Sequence, residues 1–518
     1  MVTPTPTSAP TPTTPQYRSA QRTGRDGFAQ LLHAEWTKFR TVQGWTIGTM
    51  SAALLVVLFA LLAGASSDQH GSPGVPIGPS GEPVTDSFYF VHQPLAVNGS
   101  ITVSVSALSE SIPQGLADLQ PGVVPWAKAG LIIKQSARQG SPYAAIMVTG
   151  SHGVRMQDDY VNDAAGLSGP VSTASPRWLR LERSGDAVTG YDSTDGAHWT
   201  AVGTVHVAGL GSGAQGGLFV ASPPPVRGLG TATSVATAVF GNLTLQGGRP
   251  GGAWTGDQVG PESPSFAGYP QNTAGSFTQS AGSFTVTGAG DIAPAVRSTL
   301  PTGGVLGDIL TGTFAALIAV IVVGALFVTS EYREGMIHVT VAASPRRGRV
   351  LAAKAIVLGV VTFIAGLAGA VLAVPLGLHL ARANGVYLFP ATPWVQLRVE
   401  FGTAAVLATA SILALAVGAV FRRSAGAVTT VIVAIVLPYV LVAIPFIPAG
   451  VTDWLTRVTP AAAFAVQQTL VPYHQVTGIY SPYNGYYPLA PWAGFAVLAG
   501  YAAVSLAVAV VLLRRRDA

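Results

Sequence analysis

The chain has 518 residues, of which 10% are charged and 49% hydrophobic, and its formal net charge is +5. So few charged side chains cannot cover a soluble protein of this length, which predicts that much of the chain faces lipid. The sequence contains no cysteine, which excludes disulfide bonds and thiolate chemistry. It has no long basic face of the kind that binds nucleic acid.

The first 64 residues combine a polar tail with the first apolar segment. Residues 1–26 hold a Thr/Pro-rich tract too low in hydrophobicity to fold, which predicts a disordered cytoplasmic tail. Residues 27–64 are predicted to form an amphipathic helix in the membrane interface, followed by a membrane span. On the interfacial helix, apolar Leu32, Trp36 and Phe39 are expected near one face. The charged side chains, expected elsewhere on it, are Glu35, Lys38 and Arg40.

Six segments reach the roughly 20 apolar residues that cross a bilayer core. They are 45–64, 308–330, 354–379, 400–421, 425–447 and 490–513. Pro438 and Pro445 predict that the fifth is bent or shortened. The chain is therefore expected to contain an α-helical polytopic domain of six transmembrane helices. The first belongs to residues 27–64 and the other five to residues 307–518.

The basic residues that flank these spans predict the orientation. An even number of spans places all of them on one side, which the positive-inside rule assigns to the cytoplasm. They are Lys38, Arg40, Arg333, Arg346, Arg347, Arg349, Lys354, Arg422, Arg423, Arg514, Arg515 and Arg516. We therefore expect a multi-pass plasma-membrane protein with both termini in the cytoplasm and the segment after the first span outside.

That outer segment is predicted to be an all-β antiparallel sandwich, inserted between the first two transmembrane helices. Apolar and polar side chains alternate at 101–105 and 178–183, and Asp195-Gly196 indicates a hairpin turn. The sandwich is expected over 85–247. Its predicted linkers are residues 65–84 and a Gly/Pro/Ser-rich stretch over 248–306.

The outer segment resembles concanavalin-A-like sandwiches of the DUF1349 type. The similar stretches are 126–134, 178–181, 191–196 with Trp199, and 216–220. Such domains often bind carbohydrate, so the resemblance implies a glycan or a protein as a ligand of this domain. The candidate glycan contacts are Trp126, Trp178 and Trp199. Core packing is the alternative for these aromatic side chains.

The membrane part resembles permease subunits of ABC-2-type transporters. The similar stretches are 34–38, 331–336 and 344–347. The resemblance implies export through a homodimer or permease heterodimer, and a coupling helix in the cytoplasmic loop 331–353 that docks on a separate ABC ATPase. The docking candidates are Glu331, Tyr332, Arg333, Glu334, Met336, Arg346 and Arg347. The arginines also suit topology determinants or contacts with anionic lipid head groups.

Enzymatic chemistry is not expected in this chain. None of its lysines, Lys38, Lys128, Lys134 and Lys354, lies in a phosphate-binding loop of the form G-x-x-x-x-G-K-[ST], so ATP is expected on the partner subunit. No cofactor or metal is expected. The alternatives are a membrane-anchored glycan-binding or sensing protein that does not transport, and a membrane-tethered glycosidase. The carboxylates available to a glycosidase are Glu182, Asp186, Asp192 and Asp195.

Overall fold

The computed structural model describes most of the chain. The described residues are 27–66, 68–70, 74–113, 119–227, 230–231, 234–248, 252–260, 275–300, 302–336, 346–442, 444, 447 and 449–516. The predicted tail, residues 1–26, lies outside this part, and so do residues 337–345 of the predicted coupling loop.

Helices make up the two ends of the described chain. They are α1 (Phe28–Thr41), α2 (Gln43–Ser66), α3 (Leu306–Ile309), α4 (Thr313–Arg333), α5 (Arg347–Ala383), α6 (Pro393–Phe421), α7 (Ser424–Val442), α8 (Ala449–Val458) and α9 (Pro491–Arg516). Six helical segments are long and apolar enough to cross a membrane: α2, α3 with α4, α5, α6, α7 and α9. This confirms the predicted six. The fifth, α7, is shortened as predicted and ends at Val442, ahead of Pro445.

Contacts between helix termini gather four of the helices at one end of the bundle. Arg347 Nη1 at the start of α5 donates to the Leu513 carbonyl of α9 at 2.6 Å. The Arg422 guanidinium, just after α6, lies 5.1 Å from the centre of the Tyr332 ring on α4. We call this end the basic end, and the opposite one the sandwich end.

A short apolar segment enters the bundle without crossing it. Residues Pro460–Gln467 form a 3₁₀ helix whose first seven residues are buried. Phe464 stacks on Phe314 of α4 with ring centroids 4.6 Å apart, and Gln467 Nε2 donates to Thr403 Oγ1 of α6 at 3.0 Å. Backbone other than α-helix is tolerated at membrane depth where protein surrounds it, as it does here.

The strands lie in the chain between α2 and α3. They are β1 (Val84–Asp86), β2 (Phe88–Pro94), β3 (Asn98–Pro113), β4 (Leu119–Pro121), β5 (Lys128–Lys134), β6 (Tyr143–Thr149), β7 (Val154–Asp158), β8 (Asn162–Ala165), β9 (Arg177–Ser184), β10 (Ala187–Ser193), β11 (Thr200–His206), β12 (Gln215–Ala221), β13 (Val226–Arg227), β14 (Gly230–Thr231), β15 (Val235–Gln246), β16 (Thr255–Val259), β17 (Gly275–Ser280), β18 (Ser283–Gly288) and β19 (Ile292–Pro294).

Two antiparallel sheets pack face to face and confirm the predicted sandwich. The eight-stranded sheet has the order β11-β10-β9-β3-β15-β18-β17, with β4 paired to β3, and the seven-stranded sheet has the order β16-β2-β12-β5-β6-β7-β8. Alternate side chains of both sheets, such as Val103, Leu181, Leu131 and Ile146, fill the core between them. The expected hairpin is β10–β11, whose turn has Gly196 at φ +74°.

The prediction of a linker over residues 248–306 is wrong where the structure describes strands, at 255–259, 275–280, 283–288 and 292–294. Strand β16 extends the seven-stranded sheet, while β17 and β18 extend the eight-stranded one. In β18, Phe284 and Val286 point into the core and alternate with threonine, and Trp254 meets Phe284 edge to face at 5.7 Å. Strands β16 and β17 are edge strands, and β18 lies next to an edge. Few apolar side chains suffice for these three strands because only one of their faces is buried, and their glycine and serine content obscures the alternation.

The sandwich is tied to the helical domain by the loop that precedes α9. His474 Nε2 lies 3.2 Å from Asp163 Oδ2 beside the β7–β8 turn, and Gln475 Nε2 donates to the Val161 carbonyl at 3.0 Å. The Ile479 amide donates to Ser298 Oγ at 3.1 Å, just after β19. The loop therefore contacts two separate parts of the sandwich segment.

The β7–β8 turn carries a carboxyl group that titrates near neutral pH. Burial raises the pKa of Asp159 to about 6, against the hydrogen bond from the Tyr143 amide, and Asp158 and Glu82 add to the rise while Lys134 opposes it. The folded chain thus holds this proton more tightly than the unfolded one, whose carboxyl has the ordinary pKa of about 3.9. This contribution to stability is present below pH 4 and is lost as the pH rises to about 6.

We therefore expect Asp159→Asn to protect β6–β8 from amide hydrogen exchange at pH 7.5 and to change little at pH 4.5. Asparagine keeps the acceptor for Tyr143 and tolerates the φ of +42° at this position. Hydrogen exchange of the full chain, compared with wild type at each pH, measures this. The control is Asp186→Asn, on an exposed turn. Equal protection of the Asp159 variant at both pH values would contradict the assignment.

Candidate functional site

Four charged side chains meet at the basic end. Lys354 Nζ lies 2.7 Å from Glu35 Oε2 and 2.7 Å from Glu331 Oε1. Lys38 Nζ lies 3.0 Å from Glu35 Oε1 and 3.0 Å from Glu331 Oε1. Each ammonium group thus contacts both carboxylates, and each carboxylate contacts both ammonium groups. We call these residues the four-charge cluster.

Three members of the cluster are almost completely buried. The side chains of Lys354 and Glu35 are 2% exposed and that of Glu331 is 3% exposed, whereas that of Lys38 is 40% exposed. Burial opposes the charge on Lys38, but Glu35 and Glu331 outweigh this effect and raise the pKa of Lys38 above its ordinary value. Two positive and two negative charges balance, as buried charges require.

Aromatic rings line the cluster on the side of the bundle core. Lys354 Nζ lies 4.6 Å from the centre of the Phe327 ring, within the range of a cation–π interaction. Phe39 and Trp45 meet Phe327 edge to face, with centroids 5.6 and 4.9 Å away. These rings exclude water and strengthen the ion pairs by lowering the local dielectric constant.

The cluster joins α1 to the two helices that flank the predicted coupling loop. Glu35 and Lys38 belong to α1, Glu331 lies in the last turn of α4, and Lys354 lies near the start of α5. Glu331 therefore lies two residues before the end of α4, and Lys354 lies seven residues after the start of α5, on the two sides of the loop. Such an arrangement fixes the positions of the three helices relative to one another, so that a displacement of one is opposed by the other two.

The predicted docking residues differ in how far they are exposed to solvent. Glu331 faces the interior, so the expectation that it is available to a partner is wrong, because Lys354 and Lys38 neutralise it there. Arg333, Glu334 and Met336 are exposed. The remaining candidates are Tyr332, half-buried beneath Arg422, Arg346, exposed, and Arg347, half-buried against α9.

The buried face of α1 also differs from the expected one. Glu35 and Phe39 are one turn apart and face the bundle, whereas Trp36 is 44% exposed and Arg40 is exposed. The expectation that Glu35 lies away from the apolar face is wrong, since the two lysines pair with it. One sequence signal was available: Lys354 stands at the start of an apolar segment, where a lysine requires a carboxylate partner.

Two of the three candidate glycan contacts share a region of the sandwich. Trp178 and Arg180 alternate along β9 with the core residues Leu179 and Leu181, so they lie on the outer face of the eight-stranded sheet. The Arg180 guanidinium lies 4.0 Å from the centre of the Trp199 ring, which places Trp199 beside that face.

Trp126 lies apart from these two and is only 5% exposed, stacked on His152 at 4.0 Å. Of the two alternatives for Trp126, glycan contact and core packing, the structure shows packing. Within the described ranges, no group of three or more His, Asp or Glu residues has the arrangement of a metal site.

Comparison with known proteins gives no family for the chain. No protein-family model matches it, and no curated protein matches it. Among solved structures, the GH43 BlXynB protein from Bacillus licheniformis is 14% identical over 29% of this chain and 28% of its own, with a TM-score of 0.21. The chain thus covers little more than a quarter of that protein's length.

Two further solved structures show equally weak similarity. A functionally unknown protein from Saccharomyces cerevisiae is 13% identical over 30% of this chain and 74% of its own, with a TM-score of 0.20. Scytalido-glutamic peptidase is 7% identical over 39% of this chain and 98% of its own, with a TM-score of 0.24. Similarity at this level carries no argument about function.

Proposed function

We propose that this chain is the permease subunit of an ABC-2-type transporter, acting as a dimer and driven by a separate cytoplasmic ABC ATPase. Six apolar helices and the similarity of residues 34–38 and 331–336 to such permeases support the proposal. The observation that carries it is the four-charge cluster, which links the two helices that flank the α4–α5 loop to α1.

The cluster provides a physical route for coupling. The ATPase would bind the α4–α5 loop and displace it when ATP closes the nucleotide sites. Because Glu331 and Lys354 belong to the two helices that flank this loop and contact Lys38 and Glu35 on α1, the displacement would move three helices together. Motion of these helices in two facing permeases would open the membrane path.

The positive-inside rule supports placing the basic end in the cytoplasm. The sandwich would then lie outside the plasma membrane, and the direction of transport would be export. Its loop contacts through His474 and Gln475 would hold it above the path, where it would meet cargo, cell-wall glycan or another protein.

The exposed residues at the end of α4 would form the docking surface. Arg333 and Glu334 offer both signs of charge, with side chains 79% and 50% exposed, and Met336 offers an adaptable apolar contact. Opposite charges on the ATPase would pair with them and fix the register of the complex.

We expect the double substitution Arg333→Glu with Glu334→Arg to weaken binding of the ATPase by about tenfold or more, since it places like charges opposite each other. Co-purification of an ABC ATPase subunit with the chain, and ATP hydrolysis by the complex in nanodiscs, measure this. The matched control is Arg423→Glu, an exposed charge outside the loop at the same end. Full association of the double variant would refute this docking surface, and failure of the wild-type chain to bind any ABC ATPase would refute the function.

A membrane-anchored glycan-binding protein is the second candidate. The placement of Trp178 and Trp199 at one face of the sandwich favours it, because aromatic rings stack on sugar rings. Incubating the full chain in nanodiscs with a glycan panel distinguishes the permease, the glycan-binding protein and the glycosidase. Binding without association of an ATPase would favour this candidate, and release of cleaved sugar would favour the glycosidase.

A further inference from the structure

A cavity of about 820 Å³ opens at the basic end between α5 and α9. It lies apart from the four-charge cluster, at the outer margin of the bundle. Its lining residues are Arg346, Arg347, Gly348, Arg349, Ala352, Val510 and Arg514.

The charge of the cavity points to an anionic ligand. Four of its lining residues are arginines from two helices, and no carboxylate stands among the described residues that line it. Arg346, Arg349 and Arg514 are exposed. Like charges so close together repel, and a phosphate group that accepts hydrogen bonds from several guanidinium groups relieves this repulsion.

Local packing keeps the cavity in place. Arg347 Nη1 donates to the Leu513 carbonyl at 2.6 Å and so ties the end of α9 to the start of α5. Gly348 leaves room between the helices, since a Cβ atom there would lie 3.4 Å from Val510 and 3.8 Å from Arg514. Any longer side chain at this position would enter the cavity.

The surface that continues from the cavity toward the bilayer core is apolar. On the face of α5 that carries Arg349 and Ala352, the next turns expose Ile356 (46%) and Val360 (52%). On α9, Ala507 and Ala503 are exposed one and two turns from Val510. A free anion would gain nothing from this surface, whereas the acyl chains of a lipid would cover it.

We propose that this cavity binds the phosphate group of an anionic phospholipid, whose acyl chains lie along the exposed faces of α5 and α9. The arginines select for negative charge, and the apolar surface selects for a lipid over a soluble phosphate. The site stands whether or not the chain transports anything, because it depends only on these two helices and the bilayer.

The test compares lipid retention by the purified full chain. Native mass spectrometry counts bound lipids after exchange into detergent with equal amounts of phosphatidylglycerol and phosphatidylcholine. The variant Arg346→Gln, Arg349→Gln, Arg514→Gln removes three cavity charges and leaves Arg347 to hold the helices. Arg515→Gln is the matched control, being the next residue on α9 and outside the cavity lining. Thermal unfolding confirms that each variant is folded.

We expect the wild type and Arg515→Gln to retain phosphatidylglycerol, and the triple variant to lose about tenfold or more of its affinity. Gly348→Leu, which keeps every arginine, should also reduce retention by filling the space. Equal loss in Arg515→Gln would show a general surface charge effect and overturn the proposal. Displacement of the lipid by millimolar inorganic phosphate would identify a free-anion site, and loss of ATPase binding with lipid retained would identify a protein contact. Either result would overturn it.

Discussion

Replacing Lys354 with methionine is expected to lower the free energy of unfolding by about 3 kcal/mol, because it leaves two buried carboxylates with only one counter-charge. Glu35 and Glu331 would then share Lys38, which is 40% exposed and holds each of them at 3.0 Å. Methionine fills a similar volume against Phe327, so the loss reports charge and not packing. Unfolding of the full chain in mixed detergent and SDS micelles measures it.

A compensating substitution distinguishes charge from any other effect of the change. Adding Glu331→Gln to Lys354→Met restores neutrality, since Glu35 and Lys38 remain as a pair, and most of the lost stability should return. Lys38→Met alone should cost less than Lys354→Met because Lys38 is partly solvated. Under the proposed function, the double variant should fold but hydrolyse ATP in its complex without transport. A Lys354→Met protein as stable as wild type would show that the cluster contributes nothing.

Replacing Gly324 with leucine is expected to cost about 3 kcal/mol, at the upper end for overpacking. Gly324 lies where α4 meets α6, and a Cβ atom there would lie only 2.3 Å from the carbonyl oxygen of Ser411. The obstacle is backbone, which cannot rotate away, so the helices would have to separate. Ser411 Oγ also lies 3.1 Å from Thr362 Oγ1 on α5, and this contact would be strained as well.

Gly500→Leu provides the matched control for this prediction. Gly500 lies within the membrane helix α9 and has no heavy atom within 4 Å of the position of an added Cβ. A leucine there faces lipid, so its stability should equal or exceed that of wild type, measured in the same micelle titration. Similar losses of stability in Gly324→Leu and Gly500→Leu would mean that the close α4–α6 contact does not cause the destabilisation.

The sequence predicts the elements whose signals are local. Each membrane span needs only its own apolar length, so all six were found. The helix α7 ends at Val442, ahead of Pro445, whereas Pro438 lies inside it. Strands β3 and β9 were visible from their alternation, and the β10–β11 hairpin from Asp195-Gly196. In each case the evidence lies within about twenty neighbouring residues.

The parts that were missed depend on contacts between distant residues. Lys38 and Glu331 are 293 positions apart, so nothing near either residue indicates which face of α1 is buried. A carboxylate on a helix is expected to face water unless a partner is known, and that partner comes from tertiary structure. Strands β16–β18 were missed because they lie at or next to sheet edges, where few apolar side chains, among them Phe284, Val286 and Trp254, make the core contacts.

The loop before α9 gives the sandwich a mechanical connection to the basic end of the helical bundle. It contacts the β7–β8 turn through His474 and Gln475 and then continues into α9. That helix has 26 residues, which at 1.5 Å per residue is a rod of about 39 Å. Its far end holds Arg347 at the start of α5. Under the proposed function, traction on the sandwich would therefore reach the α4–α5 loop, in the reverse direction to the motion that ATP drives.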